Sequence, residues 1–207
     1  MLPEIEFRYS FIYQEEIHLP KTKDYNRTKW EKEANKFIQK LKKEWQKHTK
    51  ILGYMSSLTG LKWKENKIKC YVVMLSESGP ISDPLTIPIK LKHKNKIFPL
   101  DINGYIDILT HELIHQLFLQ NEKQINKYFD NIINKKYKKQ PWNTRIHIPI
   151  HAIHKKIFDK FFGKKRLQKE IKNCSYYPEY KKAWGIVIKE GEDNIIKEMK
   201  ETIKTNH

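Results

Sequence analysis

The chain of 207 residues has only two cysteines, Cys70 and Cys174, with no C-x-x-C spacing between them. That gives no indication of a disulfide-built scaffold or of a cysteine-only zinc site, and it fits a reducing compartment. No apolar run approaches the roughly 20 residues of a membrane span. The stretch Met1-Leu2-Pro3-Glu4-Ile5-Glu6-Phe7 has neither the basic region nor the apolar region of an export signal. The expectation is a soluble, unexported, cytoplasmic protein with no membrane partner. Arginine is also scarce: Arg8, Arg27, Arg145 and Arg166 are the only ones, although 41 Lys and Arg against 24 Asp and Glu leave a formal net charge of +17. The positive charge is therefore almost entirely lysine. A lysine, isoleucine and asparagine excess is what an AT-rich coding sequence produces without selection for binding, and arginine is the residue that grips phosphate bidentately. Nucleic-acid association is thus a secondary reading of the charge.

What remains is a chain long enough for one domain with a substantial core, 39% hydrophobic and rich in aromatics. Ile5, Phe7, Tyr9, Phe11 and Tyr13 alternate with their neighbours, the period of a half-buried strand. From about Asp24 the period lengthens: Trp30, Ala34, Phe37, Ile38, Leu41, Trp45, His48, Ile51 and Leu52 predict one long amphipathic helix ending near Gly53 or Gly60. Ile68 to Leu75 is a dense β-branched run and reads as a buried strand. Leu85 to Leu91 alternates again but carries Pro88, which predicts an edge strand, either able to take up an extended peptide by strand addition or simply blunted against aggregation. Downstream of Gly104 everything reads as helix, with breaks at Pro141, Gly163, Pro178 and Gly191. The predicted class is α+β: a small N-terminal mixed sheet with a long helix, a central helix, then an all-helical C-terminal half. It is read as one domain over 1–207, divisible into 1–120 and 121–207.

The central helix holds His111-Glu112-Leu113-Ile114-His115, an H-E-x-x-H motif. Residues four apart share a helix face, so both imidazoles can reach one ion, while Glu112 is displaced by about 100° and stands beside that ion. Ile106, Leu109, Leu113, Ile114 and Leu117 surround the site with apolar side chains. Two histidines and a carboxylate on such a helix are costly without a partner such as a metal. The donor set points to Zn2+, and zinc with an open position acidifies its water, which an adjacent Glu can deprotonate.

A catalytic zinc needs a third protein ligand. Phe118 and Asn121 stand where the H-E-x-x-H-x-x-G-x-x-H pattern requires Gly and His, so the ligand must come from a later element. On a helix over Arg145 to Phe158, His147, His151 and His154 share the apolar arc with Ile150, Ile157 and Phe158. His151, followed by the small Ala152, resembles the Glu-Ala step by which a gluzincin's second helix offers its ligand, and that resemblance makes it the choice for the third ligand. His147 could orient the site or bind an oxyanion, and His154 could be a core histidine. Glu179 and Glu190 are further ligand candidates.

With its element order and its motif His111-Glu112-Leu113-Ile114-His115, the chain resembles a zincin metallopeptidase of compact, gluzincin-like layout, in which a second helix supplies the third ligand. The resemblance implies that His111 and His115 bind zinc, that Glu112 is the general base, and that peptide or protein is the substrate. It also implies a phenol for the oxyanion, for which Tyr176, Tyr177 and Tyr180 are candidates. The departure is a histidine where those proteins offer a glutamate. Two alternatives stand beside it. One is a deformylase-like zinc amide hydrolase using Cys70, against which Lys69 and Tyr71 do not match that family's Glu-Gly-Cys-Leu pattern. The other is a basic, nucleic-acid-associated or inactive zinc-binding protein.

Overall fold

The computed structural model describes residues 1–17, 25–93 and 96–204. Along the chain these form β1 (Glu4–Tyr9), a π-helical turn (Tyr13–Ile17), α1 (Arg27–Gln46), α2 (Lys50–Thr59), β2 (Lys67–Ser76), β3 (Ile81–Ser82), β4 (Leu85–His93) and β5 (Lys96–Pro99). Then come α3 (Ile102–Gln120), α4 (Glu122–Tyr128), a second π-helical turn (Phe129–Ile133), α5 (Asn134–Lys136), α6 (Trp142–Phe161), α7 (Lys164–Cys174), α8 (Pro178–Glu190) and α9 (Glu192–Lys204). The class is mixed α and β, mostly helical with one small sheet. No helix among the described residues is long and apolar enough to cross a membrane. The chain divides into two compact units, Met1–Lys50 with Glu65–Gln116, and Ile51–Lys64 with Leu117–His207.

The first unit is built on the sheet, whose strand order is β1-β2-β4-β3, with β5 also pairing β4. β2 runs parallel to β1, with Ile5 opposite Ile68 and Phe7 opposite Cys70. It also runs parallel to β4, with Val72 opposite Ile87. A central strand covered on both faces carries a continuous apolar run, and Val72, Val73, Met74 and Leu75 are all buried. Helix α1 packs on β1 and β2 and buries Ala34, Ile38, Leu41 and Trp45 at three- and four-residue steps. Its start is capped by Asn26, whose side chain accepts from the Lys29 N–H at 2.9 Å.

Three local expectations change. The alternation over Ile5 to Tyr13 stops being strand at Tyr9, because Ser10 turns the chain: its hydroxyl accepts from the Tyr13 N–H and its carbonyl from the Gln14 N–H. Gln14 then points inward, donating to the Leu75 carbonyl at 3.0 Å and accepting from the Met74 N–H at 2.5 Å. The long helix is two helices, since the 45–49 segment tightens. The Lys47 and His48 N–H groups take the Glu44 and Trp45 carbonyls three residues back, and the Thr49 hydroxyl donates to the Gln46 carbonyl. Its expected start at Asp24 lies outside the described residues. The expected edge strand, Leu85 to Leu91, is flanked on both sides: by β2 on one, and on the other by β3 opposite Leu85 and Thr86 and β5 opposite Lys90 to His93. Pro88 falls in the interval between these two short partners, where a residue without an N–H interrupts no outer ladder. One proline cannot tell a bare edge from an edge covered in two pieces.

The second unit is helical among its described residues. Helix α6 is its centre, packing against α7, α8 and α9. It buries Ile148, Ile150, Ala152, Ile153, Ile157 and Phe158 along with all three of its histidines. Trp142 opens it directly after Pro141, and the internal Pro149 removes the N–H that would reach the Arg145 carbonyl. α8 contributes Ala183, Trp184 and Val187 to this core, and α9 contributes Ile195, Ile196 and Met199. The positive-φ residues Gly163 and Gly191 begin α7 and end α8, the conformation that glycine permits most readily. The four arginines are each engaged within the fold: Arg8 with Glu6, Arg27 over Phe11, Arg145 with Asn134 and Trp142, Arg166 over Phe162.

Candidate metal centre

Helix α3 starts where Asp101 caps it, its carboxylate accepting from the Gly104 N–H at 2.6 Å and its carbonyl from the Tyr105 N–H. It ends at Asn121, whose buried side-chain amide donates to the Leu117 carbonyl at 2.8 Å and to that of Lys62 at 2.9 Å. Between these stops the helix is buried on nearly all faces, from Tyr105 to Phe118. The Tyr105 hydroxyl donates to the Ile87 carbonyl of β4 at 3.1 Å and fixes the helix against the sheet.

On this helix His111 and His115 bring their Nε2 atoms to 3.3 Å from each other. That is the approach expected of two imidazoles aimed at one point. His111 is buried and His115 half-buried. Glu112, 5% exposed, lies one residue from His111. Burial pushes its carboxyl up to about 7, against the opposing pull of the Ser82 hydroxyl, which donates to its Oε2 at 2.5 Å. One turn further on, the Gln116 side-chain amide donates to the backbone carbonyl of the same Ser82. Cys70 lies on β2, fully buried, its Sγ 4.0 Å from the Tyr105 hydroxyl, and burial pushes its thiol up to about 12.

On α6 the three histidines sit in three different settings. His147 has Nδ1 2.7 Å from the Asn143 carbonyl. A carbonyl only accepts, so Nδ1 carries the proton and Nε2 carries the lone pair of the neutral ring. Its ring lies against Tyr180, with centroids 4.1 Å apart. Burial lowers its pKa to about 4, with the Asn143 bond acting the other way, so the ring is neutral at pH 7. His151 is stacked flat on Trp184, centroids 4.3 Å apart and planes 13° apart. His154 stands edge-on to Phe158 at 4.4 Å. The remaining candidates are set elsewhere in this unit. Glu190 accepts from the Tyr137 hydroxyl and pairs with Lys136 at 2.8 Å. Glu179 is half-buried, its backbone carbonyl accepting from the Thr144 hydroxyl, while Tyr176 and Tyr177 are exposed and meet edge to face.

His154 gives the second unit an acid liability. Burial lowers its pKa to about 3, whereas in the unfolded chain it returns to the ordinary histidine value near 6.5. Between those values the unfolded chain binds the proton and the folded one does not, so stability is full above pH 6.5 and falls as pH drops through the interval. By pH 5 the expected loss from this group is roughly 2 kcal/mol. Replacing His154 with Leu should flatten that part of the stability curve, measured by urea unfolding from pH 7.5 to 4.5. An unchanged slope would show that His154 titrates normally in the fold.

Sequence reasoning missed three participants: Ser82, Gln116 and Asn143. Gln116 was within reach, because it lies four residues after Glu112 and so on the same helix face. Asn143 also stands at that spacing before His147. Ser82 comes from a distant two-residue strand, and nothing local marks it. Compared with known proteins, the chain matches no protein-family model, no curated protein and no solved structure at a significant level.

Proposed function

We propose that the chain is a zinc-dependent metallopeptidase of zincin-like design, with His111, His115 and His147 as protein ligands and Glu112 as general base. The observation that carries this reading is the pair of Nε2 atoms 3.3 Å apart on a buried helix with a buried carboxylate beside them. His147 is preferred to His151 as third ligand because of its own surroundings, its Nδ1 being engaged by the Asn143 carbonyl while the His151 ring is stacked flat on Trp184. The Asn143 carbonyl also fixes the tautomer that leaves Nε2 able to ligate, the usual outer support of a metal-binding histidine. His151 and His154 are then aromatic-packed core residues. A zinc ion in such a site supplies Lewis acidity, acidifying water and polarising a carbonyl.

The residues around it divide the remaining work. Glu112 takes a proton from water as its oxygen attacks the peptide carbonyl carbon, and returns that proton to the amine nitrogen as the C–N bond breaks. Tyr180, half-buried with its ring against His147, is the phenol we assign to the developing oxyanion. Tyr176 and Tyr177 are too exposed for that role. Strand addition along the whole of Leu85 to Leu91 is not retained, because β3 and β5 already flank β4. A polyanion-binding reading gains nothing from the arginines, all engaged locally.

The test is cleavage of a denatured casein-like protein and of an unstructured peptide library by the zinc-loaded chain, with and without a chelator. Chelator-sensitive cleavage of internal bonds is the expected result. A fully zinc-loaded chain that cleaves neither is not a peptidase of this kind.

A further inference from the structure

Ser82 is held at two points by side chains one turn apart on α3. Its hydroxyl donates to Glu112 Oε2 at 2.5 Å, and its backbone carbonyl accepts from the Gln116 amide. It belongs to β3, the outermost strand of the sheet order, where it pairs with Leu85 of β4. The hydroxyl is therefore not a free rotor on a loop. Its backbone is held by the pairing with β4 on one side and by Gln116 on the other, and its hydroxyl proton is aimed at one oxygen of the buried carboxylate. A carboxylate on a glutamate has three torsions to settle, and a general base works only from one position.

We propose that Ser82 is a positioning residue for the general base: it occupies Glu112 Oε2 and so assigns the proton transfers to Oε1. This rests on the peptidase reading of Glu112. In the reaction the water proton goes to Oε1, the water oxygen bonds to the carbonyl carbon, the C–N bond breaks, and the proton leaves Oε1 for the amine nitrogen. The Ser82 proton stays on its own oxygen throughout. Gln116 takes no part in proton transfer and serves to keep the Ser82 backbone at its distance from α3.

The experiment compares the zinc-loaded full chain with its Ser82→Ala and Ser82→Thr variants on fluorescein-labelled casein, together with infrared spectra of 13C-glutamate-labelled protein. Ser82→Ala should lower kcat roughly tenfold, the effect of one hydrogen bond to a charged group, with KM and zinc content unchanged. Ser82→Thr, which keeps the hydroxyl, should restore most of it. The Glu112 carboxylate band, identified by its loss in Glu112→Gln, should shift in Ser82→Ala and return in Ser82→Thr. A kcat unchanged or raised by Ser82→Ala would overturn the proposal, as would a loss that Thr does not recover. Should the wild-type chain cleave nothing, the peptidase reading falls by itself. The infrared band still decides whether Ser82 sets the carboxylate: a shift upholds the contact, and no shift removes it.

Discussion

Glu112→Gln is expected to leave the fold and the metal content intact while reducing peptide hydrolysis by roughly 10²- to 10⁴-fold, the usual contribution of a positioned general base. The amide is nearly isosteric with the carboxylate and can still meet the Ser82 hydroxyl, so packing around α3 is retained. What it loses is the capacity to take a proton. Replacing a buried carboxyl that burial already disfavours in its charged form should not destabilise the protein, and a small gain in melting temperature is the expected direction. Steady-state kinetics on labelled casein, a thermal melt and metal analysis of the same preparation check all three. Loss of metal in this variant would make Glu112 a ligand and not a base.

His147→Ala should remove the metal, or weaken its binding enough for dialysis to strip it, whereas His151→Ala should retain the metal and lose stability instead. The two residues are four apart on one helix and equally buried, so composition and periodicity cannot separate them. Their surroundings do. His147 has its Nδ1 proton on the Asn143 carbonyl, leaving Nε2 as a donor of electrons. His151 spends its ring face on Trp184. Truncating that ring opens a void against one of the largest side chains in the core, for which an expected cost is about 2–4 kcal/mol. Asn143→Ala removes only a side chain and should leave metal binding unchanged, because the backbone carbonyl makes the contact. Retained metal in His147→Ala together with loss in His151→Ala would return the third ligand to His151.

The parts of this molecule legible in the sequence are those in which one local pattern decides the outcome. Helical periodicity placed α3, α6, α8 and α9, and H-E-x-x-H at 111–115 placed two imidazoles and a carboxylate on one buried helix. The β-branched run of β2 announced a strand covered on both faces. What stayed hidden depends on partners remote in the chain. Pro88 signals an interrupted ladder, but not that β3 and β5 cover β4 on either side of it. Ser10 and Thr49 redirect the backbone with single hydroxyl bonds that no hydrophobic period records. Ser82 reaches Glu112 across thirty positions of sequence, through a two-residue strand too short to register as one.

The central claim is a zinc ion held by three imidazoles, and X-ray absorption at the zinc edge of the purified, zinc-reconstituted chain tests it most directly. One zinc per chain is expected, with three nitrogen scatterers at about 2.0–2.1 Å, one further light atom and the pattern of imidazole rings. The His147→Ala protein should lose one of those rings or the metal altogether. A sulfur scatterer at about 2.3 Å, a site with only two imidazoles, or a chain that retains no stoichiometric zinc would contradict it.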